Sequence, residues 1–464
     1  MSKEEQLPTS QQSEAIKHVE SPLLIVAGPG TGKTRVMTDK VSYLVNNEKN
    51  NISPEKILVC TFTTKAANEL KERVRKKIGN QVDMIHISTI HSFCLDMLHY
   101  FSDYHNLGSD ISIFDELEQF FLIYSKSEEF GLSTNMDFEK LVNLFNKLTE
   151  NDVDPNQLIE TLTNENRDEV EIIIAKSYRF YVKAMLQIGC LDYALIQREF
   201  LHLLKLNTHI LKSCRDMFDY ILIDEYQDTN PIQDAIFRLI VEPKNNITVV
   251  GDEDQSIYGF RGASIENFQS FKERYTKAIS KPLEQNFRSH SEIVKVFDNF
   301  ISGSRTIPKK IYTEKGSYIK PVLIKSISAK KEAEKIADFI ENLIKNHNVN
   351  YNDIAILLKS VKFGSKLITK EFKKREPKIP YSAIGEGSLL AEEIADIIVL
   401  MINFTSYYCN DDEFDYFFRS ILIDSKFFDI QQETRNKLLY ECNMRKFFEE
   451  YDGKKLSRLK INEK

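Results

Sequence analysis

At 464 residues the chain is too long for one hydrophobic core, and the usual domain size points to about three domains. Hydrophobic residues at 42% and charged residues at 28% describe an ordinary globular protein; no apolar run reaches bilayer length and residues 1 to 10 lack an apolar signal core, so a cytoplasmic protein is expected. A net charge of −7 excludes attraction of nucleic acid by overall charge, leaving a local groove as the route, and six cysteines without a close pair suggest neither a zinc site nor a disulfide framework.

The first informative stretch is LLIVAGPGTGKT at 23–34. Its apolar half does not alternate, which suits a strand buried on both faces of a parallel sheet, and a helical length follows. Gly28, Gly30 and Gly32 can turn successive N–H groups onto an anion at the helix N-terminus. Pro29 and Thr31 complete the loop, Lys33 is placed to reach terminal phosphates, and the Thr34 hydroxyl to ligate magnesium. Ala27 departs from the strict pattern, which has glycine there.

Further strand-like runs recur near 56–61, 84–88, 219–223, 246–250, 321–325 and 353–358, the rhythm of parallel α/β sheets. After the second run, Lys65, Lys71, Arg73, Arg75, Lys76 and Lys77 form a basic stretch that reads as a solvated helix face or a nucleic-acid contact. Between 104 and 205 the rhythm gives way to Leu, Phe, Glu and Lys at helical spacing, a helical insertion into the first sheet.

Hydrolysis of a bound nucleotide needs a carboxylate site at a neighbouring strand end, and FDYILIDEYQDTN at 218–230 supplies one. Asp224 is placed to hold magnesium and Glu225 to orient and deprotonate the attacking water. ITVVGDEDQSIYGFRGAS at 247–264 is a further buried strand whose Gln255 can contact a γ-phosphate. Tyr258, Phe260 and Arg261 beyond it suit base stacking, with packing an equal alternative for the two rings. Residues 303–317 read as a loop, and from about 386 a helical pattern runs onward.

With these segments in place the chain resembles the UvrD/Rep family of superfamily 1 DNA helicases. The likeness also rests on TFTTKAANELKERV at 61–74, STIHSF at 88–93 and LEQNFRS at 283–289. It implies an α/β P-loop NTPase fold: a RecA-like parallel sheet with a helical insertion, then a partial second RecA-like domain. The expected division is 1–103 with 206–280 as the first core, 104–205 as the insertion, 281–385 as the first part of the second core, and 386–464 as the start of a helical mobile domain.

The resemblance further implies that Gln12 contacts the adenine edge, that Phe287 and Arg35 sandwich the ring, and that Arg288 touches the γ-phosphate from the second core. Thr61, Phe62, Thr63, His91 and Ser92 look like contacts to single-stranded DNA, with Tyr258, Phe260 and Arg261 as the stacking loop. Phe260 stands where the family often has tryptophan, a residue this chain lacks, so weaker stacking is expected. Ala27 is normal in the family. In the second half, 351–358, Ile379-Pro380-Tyr381 and Gly385 resemble family segments, although Lys359 replaces a usual arginine.

Two later family motifs expected after about residue 405, a Thr-x-His…Lys-Gly…Glu-Phe segment that grips DNA and a Thr-Arg-Ala triplet whose arginine reaches the γ-phosphate, are not found between there and residue 464. The expectation is therefore an ATP- and magnesium-dependent 3′-to-5′ DNA helicase acting on single strands and their duplex junctions, or its N-terminal portion, with a partner or further chain supplying the second arginine. The alternative is an ATP-gated module that binds DNA or a protein with little hydrolysis. A GTPase is disfavoured because Asn146-Lys147-Leu148-Thr149 lacks the aspartate that reads guanine.

Overall fold

The computed structural model describes residues 7–47, 52–108, 111–133, 136–257, 264–317 and 320–382. In chain order its strands are β1 (Leu23–Ala27), β2 (Ile57–Thr61), β3 (His86–Thr89), β4 (Ser112–Phe114), β5 (Cys190–Asp192), β6 (Tyr220–Ile223), β7 (Ile247–Gly251) and β8 (Ile279–Leu283). Six of them form one sheet in the order β3-β2-β6-β7-β1-β8, with every pairing parallel; β4 and β5 pair separately, also in parallel.

The four inner strands are buried at every position, as a sheet covered on both faces requires. The edges differ: β3 is HIST and β8 is ISKPL, both largely half-buried. β8 was not expected from the sequence, because Ser280, Lys281 and Pro282 interrupt its apolar run. An edge strand can carry a proline, since one side of its backbone needs no ladder partner.

Helices α1 (Ser10–Lys17), α2 (Lys33–Asn46), α3 (Thr64–Ile78) and α4 (Ile90–Tyr100) follow or flank the first three strands. Thr63 and Thr89 start α3 and α4 by accepting the N–H groups of Ala66 and Ser92. Val36, Met37, Val41 and Leu44 of α2 join Leu70, Val74 and Ile78 of α3 against Ile25, Val59 and Leu222 of the sheet. Burying each such side chain contributes roughly 1.5–3 kcal/mol, which anchors the loops at the strand ends. Part of the basic run on α3 is neutralised locally: Lys71 and Arg75 lie 3.1 and 2.6 Å from Asp83, and Lys77 lies 2.9 Å from Asp39.

The stretch expected as a helical insertion holds α5 (Glu116–Ser125), α6 (Ser127–Phe130), α7 (Phe138–Glu150), α8 (Pro155–Asn164), α9 (Glu169–Gln187) and α10 (Tyr193–Leu206), together with the small β4–β5 pair. Phe93 of α4 packs edge-on against Phe200 of α10, with ring centres 5.8 Å apart, tying these helices to the sheet. There follow α11 (Thr208–Met217), α12 (Pro231–Val241), α13 (Ile265–Gln269), α14 (Phe271–Arg274) and α15 (Ser291–Ile301).

The chain forms two compact units, the first ending at Pro321. Residues 281–321 lie in the first of these units, where β8 pairs along β1. In the second unit α16 (Ala329–His347) packs on α17 (Val361–Lys374) through Ala333, Ala337, Ile340, Ile368 and Phe372, joined by Ile379. The strands expected at 321–325 and 353–358 are not formed. Among the described residues these segments have no ladder, and a strand without a neighbour leaves its backbone groups to water. Val322, Leu323 and Leu357 are accordingly exposed. The expected mobile domain at 386–464, and Gly385, lie outside the described residues.

Candidate nucleotide and DNA site

Because β6, β7 and β1 are adjacent and parallel, their carboxyl ends bring three loops to one edge, where open α/β sheets bind ligands. The first loop runs from β1 into α2. Gly30 and Gly32 have φ of 72° and 91°, a region that disfavours side chains, and Gly32 begins α2. The Thr31 hydroxyl is buried and donates to the Gly28 carbonyl at 2.8 Å. Lys33 and Thr34 are therefore the first residues of a helix whose N–H groups face the loop.

From there the Lys33 ammonium reaches Glu225 Oε2 at 2.7 Å and Gln255 Oε1 at 3.5 Å. These three residues, separated in sequence by up to 222 positions, meet within hydrogen-bond reach. Asp224 follows directly on β6 and its N–H donates to the Cys60 carbonyl at 2.9 Å. Glu225 has φ of 50°, an unusual conformation for a non-glycine residue, held by the strand before it and the turn after it.

Two neighbours fix this geometry. Gln227 donates to Glu225 Oε2 at 2.9 Å and accepts the Asp252 N–H at 2.9 Å, bridging the β6 and β7 loops. Gln255 donates to Asp252 Oδ2 at 2.6 Å, which leaves its own carbonyl oxygen facing Lys33. Asp252 in turn is paired with Lys309, and both side chains are fully buried. Lys309 also lies 3.0 Å from Asp254, while Arg305 lies 2.8 Å from Asp254 and 2.7 Å from Asp298.

Negative charge is in excess at this edge. Burial, with Glu225 alongside, pushes Asp224 up to about 6, against the opposing pull of Lys33. Burial and Glu225 likewise raise Asp228 to about 6. A carboxylate so placed gains from a cation, and the Thr34 hydroxyl in the first turn of α2 supplies a neutral oxygen, so the residues fit magnesium. Among the described residues no group of three or more His, Cys, Asp or Glu is arranged to hold a metal alone. That agrees with an ion that takes few protein ligands and completes its shell from phosphate and water.

Gln12 is buried and donates to the Thr31 carbonyl at 3.0 Å, so its amide lies against the loop. Phe287 donates its N–H to the Gly30 carbonyl at 2.9 Å, and Pro29 offers its carbonyl to Asn286 Nδ2 at 2.5 Å. Arg288 is exposed on the same turn. Arg35, one residue past Thr34, lies 3.6 Å from Asp39.

At the far end of the sheet Thr61 pairs opposite Thr89, which sets the N-termini of α3 and α4 side by side. Thr63 and Ser92 are exposed there and Phe62 is half-buried. Thr61 is buried, with its hydroxyl donating to the Thr63 carbonyl at 3.1 Å, so it shapes the turn from within. His91 packs edge-on to Tyr193 at 5.5 Å, and burial pushes it down to about 4, leaving a neutral ring. Tyr258, Phe260 and Arg261 lie outside the described residues.

Sequence reasoning passed over Asn286, Gln227 and Lys309. The first two stand inside motifs that drew attention to their neighbours; Lys309 lay in a lysine-rich loop, where burial is the least expected state.

Residues 8–276 match the family model described as UvrD/REP helicase N-terminal domain, and 282–451 match that of the UvrD-like helicase C-terminal domain. The chain is 36% identical over 387 residues to a probable DNA helicase II homolog of Mycoplasma capricolum, covering 82% of this chain and 52% of that protein. It is 33% identical over 407 residues to the ATP-dependent DNA helicase PcrA of Staphylococcus aureus, covering 84% and 52%, and 33% identical over 398 residues to that of Staphylococcus epidermidis, with the same coverage. The chain thus spans about half the length of the curated relatives it matches. With a glycine-rich loop, an Asp-Glu pair and a glutamine at the ends of adjacent parallel strands, and family matches on both sides of residue 280, the chain belongs to the UvrD/REP helicase family.

Proposed function

We propose that the chain is an ATP-dependent DNA helicase or translocase, or the N-terminal portion of one, that moves 3′ to 5′ on single-stranded DNA and opens duplex junctions in the cytoplasm. The observation that carries this is the meeting of Lys33, Glu225 and Gln255 at the ends of three adjacent strands. The ammonium of Lys33, now on Glu225, exchanges that carboxylate for the β- and γ-phosphates, freeing Glu225 to accept the proton of the attacking water at its carboxylate oxygen. Gln255, held by Asp252, meets the γ-phosphate and senses its loss. Magnesium, held by Thr34 and Asp224, would neutralise charge on the phosphates.

Gln12, Phe287 and Arg35 form the adenine pocket, and Arg288 faces the γ-phosphate, with the second arginine of the family coming from a partner or further chain. Thr63 and Ser92, with the N–H groups of the α3 and α4 termini, take DNA phosphates; Phe62 and the neutral His91 contribute apolar contact, and Tyr258, Phe260 and Arg261 stack on bases. Movement follows if the ATP and ADP states grip the strand with different affinity.

The test is ATP hydrolysis by the full chain with and without single-stranded DNA, at low salt because phosphate contacts weaken steeply as salt rises. Strong stimulation supports the motor. ATP binding with no stimulation sinks it in favour of an ATP-gated binding module.

A further inference from the structure

One buried amide joins the phosphate loop to the arginine beside it. Asn286 is only 2% exposed, and both polar atoms of its side chain are engaged at this junction. Its Nδ2 donates to the Pro29 carbonyl at 2.5 Å, while its Oδ1 accepts the N–H groups of Arg288 and Ser289 at 2.8 and 2.7 Å. Its own N–H donates to the Tyr312 carbonyl at 2.7 Å, and the N–H of Phe287 donates to the Gly30 carbonyl at 2.9 Å. The two backbones are in close contact: a Cβ added at Gly30 would lie 2.8 Å from both Arg288 Cβ and Asn286 Nδ2.

We infer that Asn286 is a positioning residue: it clamps the turn carrying Arg288 to the phosphate loop, so that the guanidinium is aimed at the γ-phosphate from within the first unit. This deepens the proposed nucleotide site and rests on that reading. The chemistry requires an amide. Aspartate could still accept from Arg288 and Ser289, but its second oxygen would face the Pro29 carbonyl as acceptor against acceptor. Because Arg288 itself is exposed, only its backbone anchor determines where its long side chain starts. A misplacement near 1 Å at a reacting centre can cost about a hundredfold in rate.

The test compares Asn286→Asp, Arg288→Ala and the double variant in the full chain. The primary readout is the preference for a non-hydrolysable ATP analogue over ADP, followed by kcat and KM for ATP, with thermal melting as control. Asn286→Asp is expected to lower the analogue-over-ADP preference about tenfold and kcat by about ten- to a hundredfold, with ADP affinity kept within about threefold. In the Arg288→Ala background the same change should add less than about threefold, because it acts through that arginine. If Asn286→Asp fails to fold, Asn286→Ser, whose hydroxyl still caps the turn, carries the same expectation. Unchanged preference and kcat, or penalties that multiply in full in the double variant, would overturn the assignment. A wild-type chain that binds the analogue with preference but never hydrolyses ATP would instead count against the motor, while the loss of preference in Asn286→Asp would still uphold the clamp.

Discussion

Among the described residues Lys33 is the cation set between Glu225 and Gln255 in the candidate nucleotide site, and its contact with Glu225 at 2.7 Å underlies two expected phenotypes. Lys33→Ala removes the charge that meets the phosphates and leaves the carboxylates unopposed, so nucleotide binding should fall below detection in an equilibrium titration. Glu225→Gln keeps the shape and should keep ATP binding, while turnover drops about 10²- to 10⁴-fold because an amide accepts no proton; steady-state hydrolysis beside a binding titration separates the two. A different lysine tests the core. Lys40 of α2 is fully buried, donates to the Ala15 carbonyl at 3.0 Å and to that of His18, and burial pushes it down to about 7. The unfolded chain holds that proton up to about pH 10.4, so folding expels it between the two values and stability rises with pH across that window. Urea unfolding should show wild type gaining on the order of 1 kcal/mol per pH unit above pH 7 relative to Lys40→Met. Equal slopes would mean that Lys40 folds with its charge intact.

Among the elements, legibility followed burial. β1, β2, β6 and β7 were readable because strands covered on both faces must be apolar throughout, and the loops at their ends carried the motif residues. β8 was not, since an edge strand can hold Ser280, Lys281 and Pro282. The runs at 321–325 and 353–358 failed in the opposite sense, being apolar enough for strands yet without a ladder among the described residues. The tip of β7 holds a feature of the same kind: Lys309 is fully buried against Asp252 and Asp254, the first of which holds Gln255. Lys309→Met leaves the buried Asp252 without its cation while Asp254 keeps Arg305, and breaking such a buried pair costs about 3–5 kcal/mol. The expected result is a loss of that order in chemical denaturation. A loss below about 1 kcal/mol would show that water or a shifted Arg305 satisfies Asp252.

For the molecule as a whole, the described residues of the proposed nucleotide site, from Gln12 to Arg288, all fall within the first compact unit, Met1–Pro321. A fragment of residues 1–321 should therefore bind ADP within about threefold of the full chain by calorimetry, a difference near 0.6 kcal/mol. A fragment that folds yet binds ADP more than a hundredfold more weakly would place an essential contact after residue 321.

Local sequence already contained the chemistry on offer: the glycines and lysine of the first loop, the acidic pair, Gln255, and their attachment to buried strands. Each of these is a local pattern, in which residue type and spacing already dictate backbone conformation and charge. Tertiary structure alone decided which loops meet. Lys33 and Glu225 lie 192 residues apart and come together only because β6, β7 and β1 are neighbours in the sheet. The same long-range pairing made an edge strand of β8 and carried Asn286 and Arg288 onto the phosphate loop. It also buried Lys309, a residue whose composition argues for solvent, because two aspartates from a distant loop were there to receive it.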